Sequence, residues 1–268
     1  MPPIENLFSY GNKLEKMLIS CFYDQKPCDL VNDFKPIISP MYGQCFAFNW
    51  QNKYKLKRPG NRNGLILELF LGDTEFTPCW INSRGGLVVI KSTNQTPLFI
   101  EEGHIFQTGT ETSYQLSQKD YVKLPKPYGN CSENMIESQK TCLTFCADRR
   151  NLVLNEVSCN ASNDSTSACL NNSTLIADFY SECSIECPPE CKLSVYDISI
   201  DHASYPALNY AKNVLMQSEK FMSKFSFVNG SSVTFDRVKD STAMLNIHFG
   251  TNCVQKYSEV PETDFLAL

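Results

Sequence analysis

The sequence predicts an α+β fold: a β-sheet body with helical pieces and one disulfide-laddered helical arm. Three observations predict it. Apolar side chains alternate with period two at Leu65, Leu67, Leu69 and Leu71 and again at Leu245, Ile247 and Phe249, the pattern of strands with one buried face. Apolar residues recur at helical spacing at Tyr10, Leu14, Met17, Leu18 and Cys21, and residues 207–222 read as a further helix. Eight of the 13 cysteines, Cys131, Cys142, Cys146, Cys159, Cys169, Cys183, Cys187 and Cys191, stand almost as a palindrome about a polar centre.

Taken along the chain, the first helix runs into a short loop, residues 21–28, flanked by cysteines able to close it. Pro36, Pro40 and Gly43 surround a turn, and residues 45–49 form a compact apolar strand. Residues 51–63 are a polar, basic loop leading into the alternating strand at 65–71, and residues 87–90 form a second, wholly apolar strand. A mixed segment follows, ending at Tyr121-Val122-Lys123-Leu124. Pro125 and Pro127 then fix an extended entry into Tyr128-Gly129-Asn130-Cys131. Beyond Cys191, residues 193–200 read as a strand, and the helix at 207–222 has Pro206 near its start. Residues 225–228 and 232–235 flank Asn229-Gly230, the signal of a type I′ hairpin.

If the two arms of the cysteine segment lie antiparallel, Cys159 meets Cys169, Cys146 meets Cys183, Cys142 meets Cys187, and Cys131 meets Cys191 at the base. Cys142 and Cys146 share a helix face, as do Cys183 and Cys187. Connectivity is not fixed by spacing, since eight cysteines allow about 105 pairings; the nested one is the least strained. Metal is the competing use of clustered cysteines. No CxxC pair occurs, however, and His104, His202 and His248 all lie outside the cluster.

Thirteen cysteines in 268 residues point to an oxidising compartment. N-x-[ST] triplets begin at Asn94, Asn130, Asn160, Asn163, Asn171, Asn172 and Asn229, and four of them crowd the Ser/Asn-rich tip at 160–174. Asn130, wedged between Gly129 and Cys131, is a poor acceptor; the other six are the expected glycosylation sites. Residues 1–16 do not have the pattern of a secretory signal peptide, and no stretch approaches the roughly 18–20 apolar residues that span a bilayer. Oxidation, glycosylation and an odd cysteine count together fit an extracytoplasmic segment of a longer membrane protein.

A net charge of −5 argues against nucleic acid as a partner. Catalysis has no visible apparatus: HExxH, GxSxG, Walker and dinucleotide motifs are all missing from the sequence. Asp197, Asp201 with His202 beside it, and the Glu101-Glu102 pair read as ordinary surface residues. No enzyme activity, cofactor or metal is therefore expected.

Several segments, read in order, resemble the extracellular domain of the degenerin/epithelial sodium channel superfamily, which includes the acid-sensing channels. They are Leu18-Ile19-Ser20-Cys21 with Cys28, Asp33-Phe34, and Tyr42-Gly43-Gln44-Cys45-Phe46-Ala47-Phe48-Asn49, similar to the family's YGxCxxFN signature. Asn63-Gly64-Leu65, Gly86-Leu87-Val88-Val89-Ile90, Leu124-Pro125 through Cys131, Cys142-x-x-x-Cys146, and Cys187-Pro188-Pro189-Glu190-Cys191 followed by Tyr196 continue the likeness.

The resemblance implies a hand-like channel ectodomain with a mixed β-sheet palm, a helical finger remnant and a disulfide-laddered helical thumb. It divides the chain into a partial finger at 1–45, palm and central β region at 46–130, thumb at 131–191, a knuckle-like helix region at 192–222, and palm strands at 223–268 that lead to a second membrane helix absent from the chain. It further implies the nested thumb bridges and a Cys21–Cys28 bridge. Cys45 would be unpaired or joined to an external partner, because the family's early finger cysteine is missing; Cys79 and Cys253 are left over, and the resemblance does not assign their pairing. Tyr128 matches the aromatic that couples thumb motion to the pore.

The function implied is the extracellular part of an amiloride-sensitive, ligand- or force-gated sodium channel subunit of the plasma membrane. Sodium ion would be the transported species and the assembly a homo- or hetero-trimer with related subunits; a peptide ligand or extracellular matrix is the implied outside partner. A soluble binding or decoy form that associates with full-length subunits is the alternative. Proton gating is not implied: residues 80–87 hold no carboxylate, and the acids between Cys169 and Cys187 are Asp178, Glu182 and Glu186.

Overall fold

The computed structural model describes residues 13–39, 43–73, 84–92, 102–133, 187–225 and 232–261. The chain divides into two compact units: Met1–Thr93, Phe99–Gln118 and Tyr196–Val254 make the first, and Asn94–Leu98, Lys119–Val195 and Gln255–Leu268 the second. The described residues are mixed α+β and mostly strand.

The first unit is built on a sheet of β1 (Leu18–Tyr23), β2 (Lys26–Pro27), β5 (Leu65–Phe70), β8 (Thr110–Val122) and β10 (Thr242–Phe249). Its order is β8-β10-β5-β1-β2, antiparallel except for the parallel β10–β8 pair. β9 (Lys192–Ser204) pairs with β8. Two hairpins, β3 (Phe34–Ser39) with β4 (Gly43–Phe48) and β6 (Gly85–Val89) with β7 (Gly103–Gln107), complete the strands of this unit.

Register assigns the two sheet faces. Leu65, Leu67 and Leu69 of β5 stand opposite Ile247, Leu245 and Ala243 of β10. With Leu18, Cys21, Phe34, Phe106 and Tyr114 they form one apolar cluster, each large side chain contributing roughly 2 kcal/mol by burial. On the opposite face, Phe70 meets Phe221 and Phe225 edge-on at 6.4 and 5.1 Å. A second cluster of Ala211, Leu215, Phe221, Phe225, Val233 and Val238 packs there.

The helix expected through Tyr10, Leu14, Met17, Leu18 and Cys21 gives way to a strand at Leu18. Among the described residues α1 (Leu14–Met17) is helical, and Leu18 begins β1; Tyr10 lies outside the described residues. Leu18 and Cys21, three apart, would face opposite sides of a regular strand. The register slips between Leu18↔Leu69 and Ser20↔Glu68, and this bulge at Ile19 returns both side chains to the buried face. A helical spacing was thus satisfied by a bulged strand.

The single helix expected over residues 207–222 is broken. α2 (Leu208–Tyr210) continues as a π-turn, Ala211–Leu215, with the Met216 N–H on the Ala211 carbonyl, and α3 (Glu219–Met222) starts afresh where the Ser218 hydroxyl accepts from the Phe221 N–H. The second arm of the expected Asn-Gly hairpin is also overturned, for Phe235 opens α4 (Phe235–Ser241). The Thr234 hydroxyl accepts from the Arg237 N–H and caps that helix; Asn229 and Gly230 lie outside the described residues. Strands at 45–49, 65–71, 87–90, 193–200 and 245–249 are found in β4, β5, β6, β9 and β10.

The mixed segment before Tyr121 hides the long strand β8. Its signal was present as Thr112, Tyr114 and Leu116, all buried with period two. Gly64 of the Asn-Gly-Leu triplet has a packing reason: a Cβ there would lie 2.1 Å from the Ile247 carbonyl oxygen.

In the second unit, β11 (Gln255–Ser258) runs parallel to the end of β8, from Gln255↔Lys119 to Ser258↔Val122. Tyr121 and Tyr257 stack there with centroids 5.1 Å apart.

Candidate functional site

A family-like motif in the first unit and the predicted Tyr128 site in the second lie in the described residues. In the first, the YGxCxxFN-like segment forms β4, and its last residue, Asn49, sits at φ 58°, a left-handed conformation that asparagine tolerates. From there its side chain clamps the next turn: Oδ1 accepts from the Tyr54 N–H at 2.8 Å and Nδ2 donates to the Tyr54 carbonyl at 3.0 Å. Tyr54 in turn stacks on Phe48 at 5.2 Å and packs against Tyr23 at 4.5 Å.

Asp33 lies beneath this corner, its side chain fully buried. It accepts from Lys53 Nζ at 2.8 Å, from the Tyr54 hydroxyl at 2.5 Å and from the Asp29 N–H at 2.7 Å. Burial alone would raise the Asp33 carboxyl, but the bonds from Lys53, Tyr54 and Asp29 outweigh it and hold the group below the usual carboxylate range. The Asp33-Phe34 and Asn49 motif residues therefore lock one loop to one hairpin. Cys45 is half-buried in β4, and burial pushes its thiol up.

A feature that the sequence reading passed over is Glu68. Its Oε1 accepts from the Tyr205 hydroxyl at 3.0 Å and the Tyr210 hydroxyl at 2.6 Å, and its Oε2 accepts from Ser20 Oγ at 2.5 Å. One carboxylate thus ties β1 and β5 to the turn after β9 and to α2. Burial first, and the adjacent Glu68 charge and hydrogen bonds second, push both tyrosines far above their ordinary value. Its signal was a lone acid in an apolar strand. Arg237 and Asp73 form a second buried link, bidentate at 2.9 and 2.6 Å.

The site in the second unit is the junction around Tyr128. Tyr128 and Gly129 both donate their N–H to the Pro125 carbonyl, at 3.1 and 3.0 Å, closing a tight turn. A Cβ on Gly129 would lie 2.0 Å from the Leu124 carbonyl oxygen, so the turn requires glycine. Tyr128 is 70% exposed. With Lys123, Leu124, Pro127, Glu259, Val260 and Pro261 it lines an open cleft of about 580 Å³.

Two sets of bonds brace this cleft. Glu259 donates its N–H to the Val122 carbonyl at 2.9 Å and accepts the Leu124 N–H on Oε2 at 2.8 Å. Cys131 and Cys191 are bridged with Cα atoms 5.0 Å apart, and the Lys123 N–H bonds the Cys191 carbonyl at 2.8 Å. The base of the cysteine segment, the tyrosine turn and the segment after β11 are thus one hydrogen-bonded cluster.

Of the expected bridges, Cys21–Cys28 and Cys131–Cys191 are formed. Cys187 is disulfide-bonded, while Cys142, Cys146, Cys159, Cys169 and Cys183 lie outside the described residues. So do Asn94, Asn160, Asn163, Asn171, Asn172 and Asn229. Cys253 is an exposed free thiol on the loop between β10 and β11, and Cys79 lies outside the described residues. Among the described residues no helix is long and apolar enough to cross a membrane, and no group of three or more His, Cys, Asp or Glu is placed to hold a metal.

Comparison with known proteins gives a single answer. The sequence pattern of the family described as amiloride-sensitive sodium channel matches residues 3–268. The chain is 30% identical over 135 residues to the epithelial sodium channel subunit gamma of Rattus norvegicus, covering 49% of this chain and 21% of that one. It is equally 30% identical over 135 residues to the subunit beta of Bos taurus, with the same shares covered. Degenerin unc-8 of Caenorhabditis elegans is 26% identical over 236 residues, 78% of this chain and 30% of that protein. The chain therefore spans between about a fifth and a third of the length of these relatives.

Proposed function

This chain belongs to the amiloride-sensitive sodium channel family, a family of ion channels and not of enzymes, and from that premise we propose that it is the extracellular part of a channel subunit. In this reading the complete protein sits in the plasma membrane and conducts sodium as a homo- or hetero-trimer with related subunits. The single observation that carries it is the match across residues 3–268.

We propose a hand-like division, with a finger at 1–45, a palm at 46–130 and 223–268, a thumb at 131–191 and a knuckle-like region at 192–222. The thumb is braced by nested bridges, Cys142–Cys187, Cys146–Cys183 and Cys159–Cys169 above Cys131–Cys191. Its tip, together with Asn94 and Asn229, carries the glycans. A stiff lever of this kind needs a rigid base, and the Cys131–Cys191 bridge, the Pro125 turn and the Glu259 bonds supply one.

Tyr128 is the gating contact in this scheme. It protrudes three residues from the bridged Cys131, so displacement of the thumb base moves its ring against whatever lies beyond. The stimulus we favour is a peptide ligand or force from the extracellular matrix.

The test is to express the complete coding sequence in oocytes, alone and with related subunits, and record amiloride-sensitive sodium current. Tyr128→Ala should keep the protein at the surface and reduce stimulated current at least tenfold. Absence of such current in every combination, or a Tyr128→Ala channel gated like the parent, refutes the proposal.

A further inference from the structure

Residues 51–63 hold five of the chain's 24 cations, Lys53, Lys55, Lys57, Arg58 and Arg62, and none of its 29 acids. On a protein of net charge −5 this concentrates positive charge on one loop. A solvated basic loop is common, and two features set this one apart.

The first is an ordered presentation. Lys53, Lys55 and Lys57 are exposed while the intervening Tyr54 and Leu56 are half-buried, the alternation of an extended chain, which puts successive lysines about 7 Å apart on one side. The second is that the backbone is pinned along its length. Asn49 clamps Tyr54, the Tyr23 hydroxyl donates to the Lys55 carbonyl at 3.3 Å, and the Gly60 N–H bonds the Phe249 carbonyl at 2.8 Å. Asn63 Nδ2 donates to the Pro59 carbonyl at 2.9 Å. A partner would therefore meet cations held on a fixed backbone, and less ordering entropy is lost on binding.

The fold itself uses only part of this charge. Lys53 bonds the buried Asp33 at 2.8 Å, and Arg58 lies 3.7 Å from Asp24. Lys55, Lys57 and Arg62 are exposed and have no carboxylate partner among the described residues. They supply nothing to the core.

We propose that this loop is a binding site for a linear sulfated polysaccharide of the glycosaminoglycan class, with Lys55, Lys57 and Arg62 as its anion contacts. Regular spacing of like charges along a pinned backbone matches a polymer that repeats its anions. An acidic polypeptide would instead take most of its affinity from a few side chains anchored in pockets. The proposal rests on the extracellular placement of this segment and names the matrix component that would reach it.

The experiment uses the full 268-residue chain, secreted and oxidised, on immobilised heparin. Retention beyond about 0.15 M salt is expected. The logarithm of affinity should fall with the logarithm of salt concentration at a slope of roughly −2 to −3, the value for about three released counterions. The triple variant Lys55→Glu, Lys57→Glu, Arg62→Glu should bind at least tenfold more weakly. A control triple at exposed sites elsewhere, Lys192→Glu, Lys212→Glu, Lys220→Glu, changes net charge equally and should bind like the parent.

A second set, Lys55→Gln, Lys57→Gln, Arg62→Gln, avoids introducing acids and should also lose at least fivefold. The proposal is overturned by elution of the parent at or below about 0.15 M salt, by equal losses in the loop and control triples, or by equal retention on polyglutamate. Failure of the channel reading would show itself separately, as absent sodium current, with these column results unchanged.

Discussion

Removing the Tyr210 hydroxyl should reveal how strongly the Glu68 carboxylate holds the first unit together. Tyr210→Phe deletes one oxygen and leaves the ring, which lies 6.2 Å from Tyr205, in place. The lost bond is short, 2.6 Å, and its acceptor is a carboxylate that also takes Tyr205 at 3.0 Å and Ser20 at 2.5 Å. Bonds to charged groups contribute about 1.5–3 kcal/mol, and the residual bonds to Glu68 offset part of the loss, so Tyr210→Phe should destabilise by about 1.5 kcal/mol. The assay is urea unfolding of the oxidised chain, with a double-mutant cycle against Glu68→Gln. A coupling of about 1 kcal/mol is expected between the two positions. A Tyr210→Phe effect below about 0.3 kcal/mol with no coupling would show that the carboxylate is held by packing alone, and the reasoning would fail.

Alkaline pH tests the buried tyrosines of the first unit. Tyr114, pushed up to about 12 by burial, and Tyr205 and Tyr210, raised further by burial and Glu68, stay protonated in the fold where the unfolded chain ionises near 10.0. Their contribution is complete below pH 10 and is lost as pH rises toward the folded values, so the urea midpoint should fall steeply above pH 10, with a burst of tyrosinate absorbance on unfolding. Asp33 gives the acid limb: its carboxyl is lowered in the fold, so its contribution is present above the unfolded value of 3.8 and fades as pH falls through the folded one. Asp33→Ala should cost about 2 kcal/mol at neutral pH and flatten the stability profile below pH 4, measured by thermal melts across pH. Asp73→Ala should cost about 3–5 kcal/mol, because the Arg237 guanidinium stays buried, and Asp73→Leu combined with Arg237→Met should recover most of it in the same urea assay.

Several features were legible because they depend on near neighbours in the chain. The alternation at Leu65, Leu67 and Leu69 fixes a strand wherever a sheet forms, because any other register puts leucines in water. The Cys21–Cys28 bridge joins residues seven positions apart, and the family-like turn at Tyr128 is set by Pro125 and Gly129 a few positions away. The candidate site was readable to the same extent: Tyr128 and Cys131 could be named, while the bond that joins Leu124 to Glu259 across 135 residues could not.

What the sequence determined by itself is the strand periodicity, the sulfur chemistry, the basic loop and the motifs that relate this chain to its family. Tertiary structure alone decided that Leu18 and Cys21 belong to a bulged strand and not a helix, because an apolar spacing of three fits either until Leu69 and Glu68 fix the register. It also decided that Glu68 is a tie and not a surface acid, since its tyrosine partners lie 137 and 142 residues away. Local pattern records which faces must leave water; only the folded chain records which groups meet there.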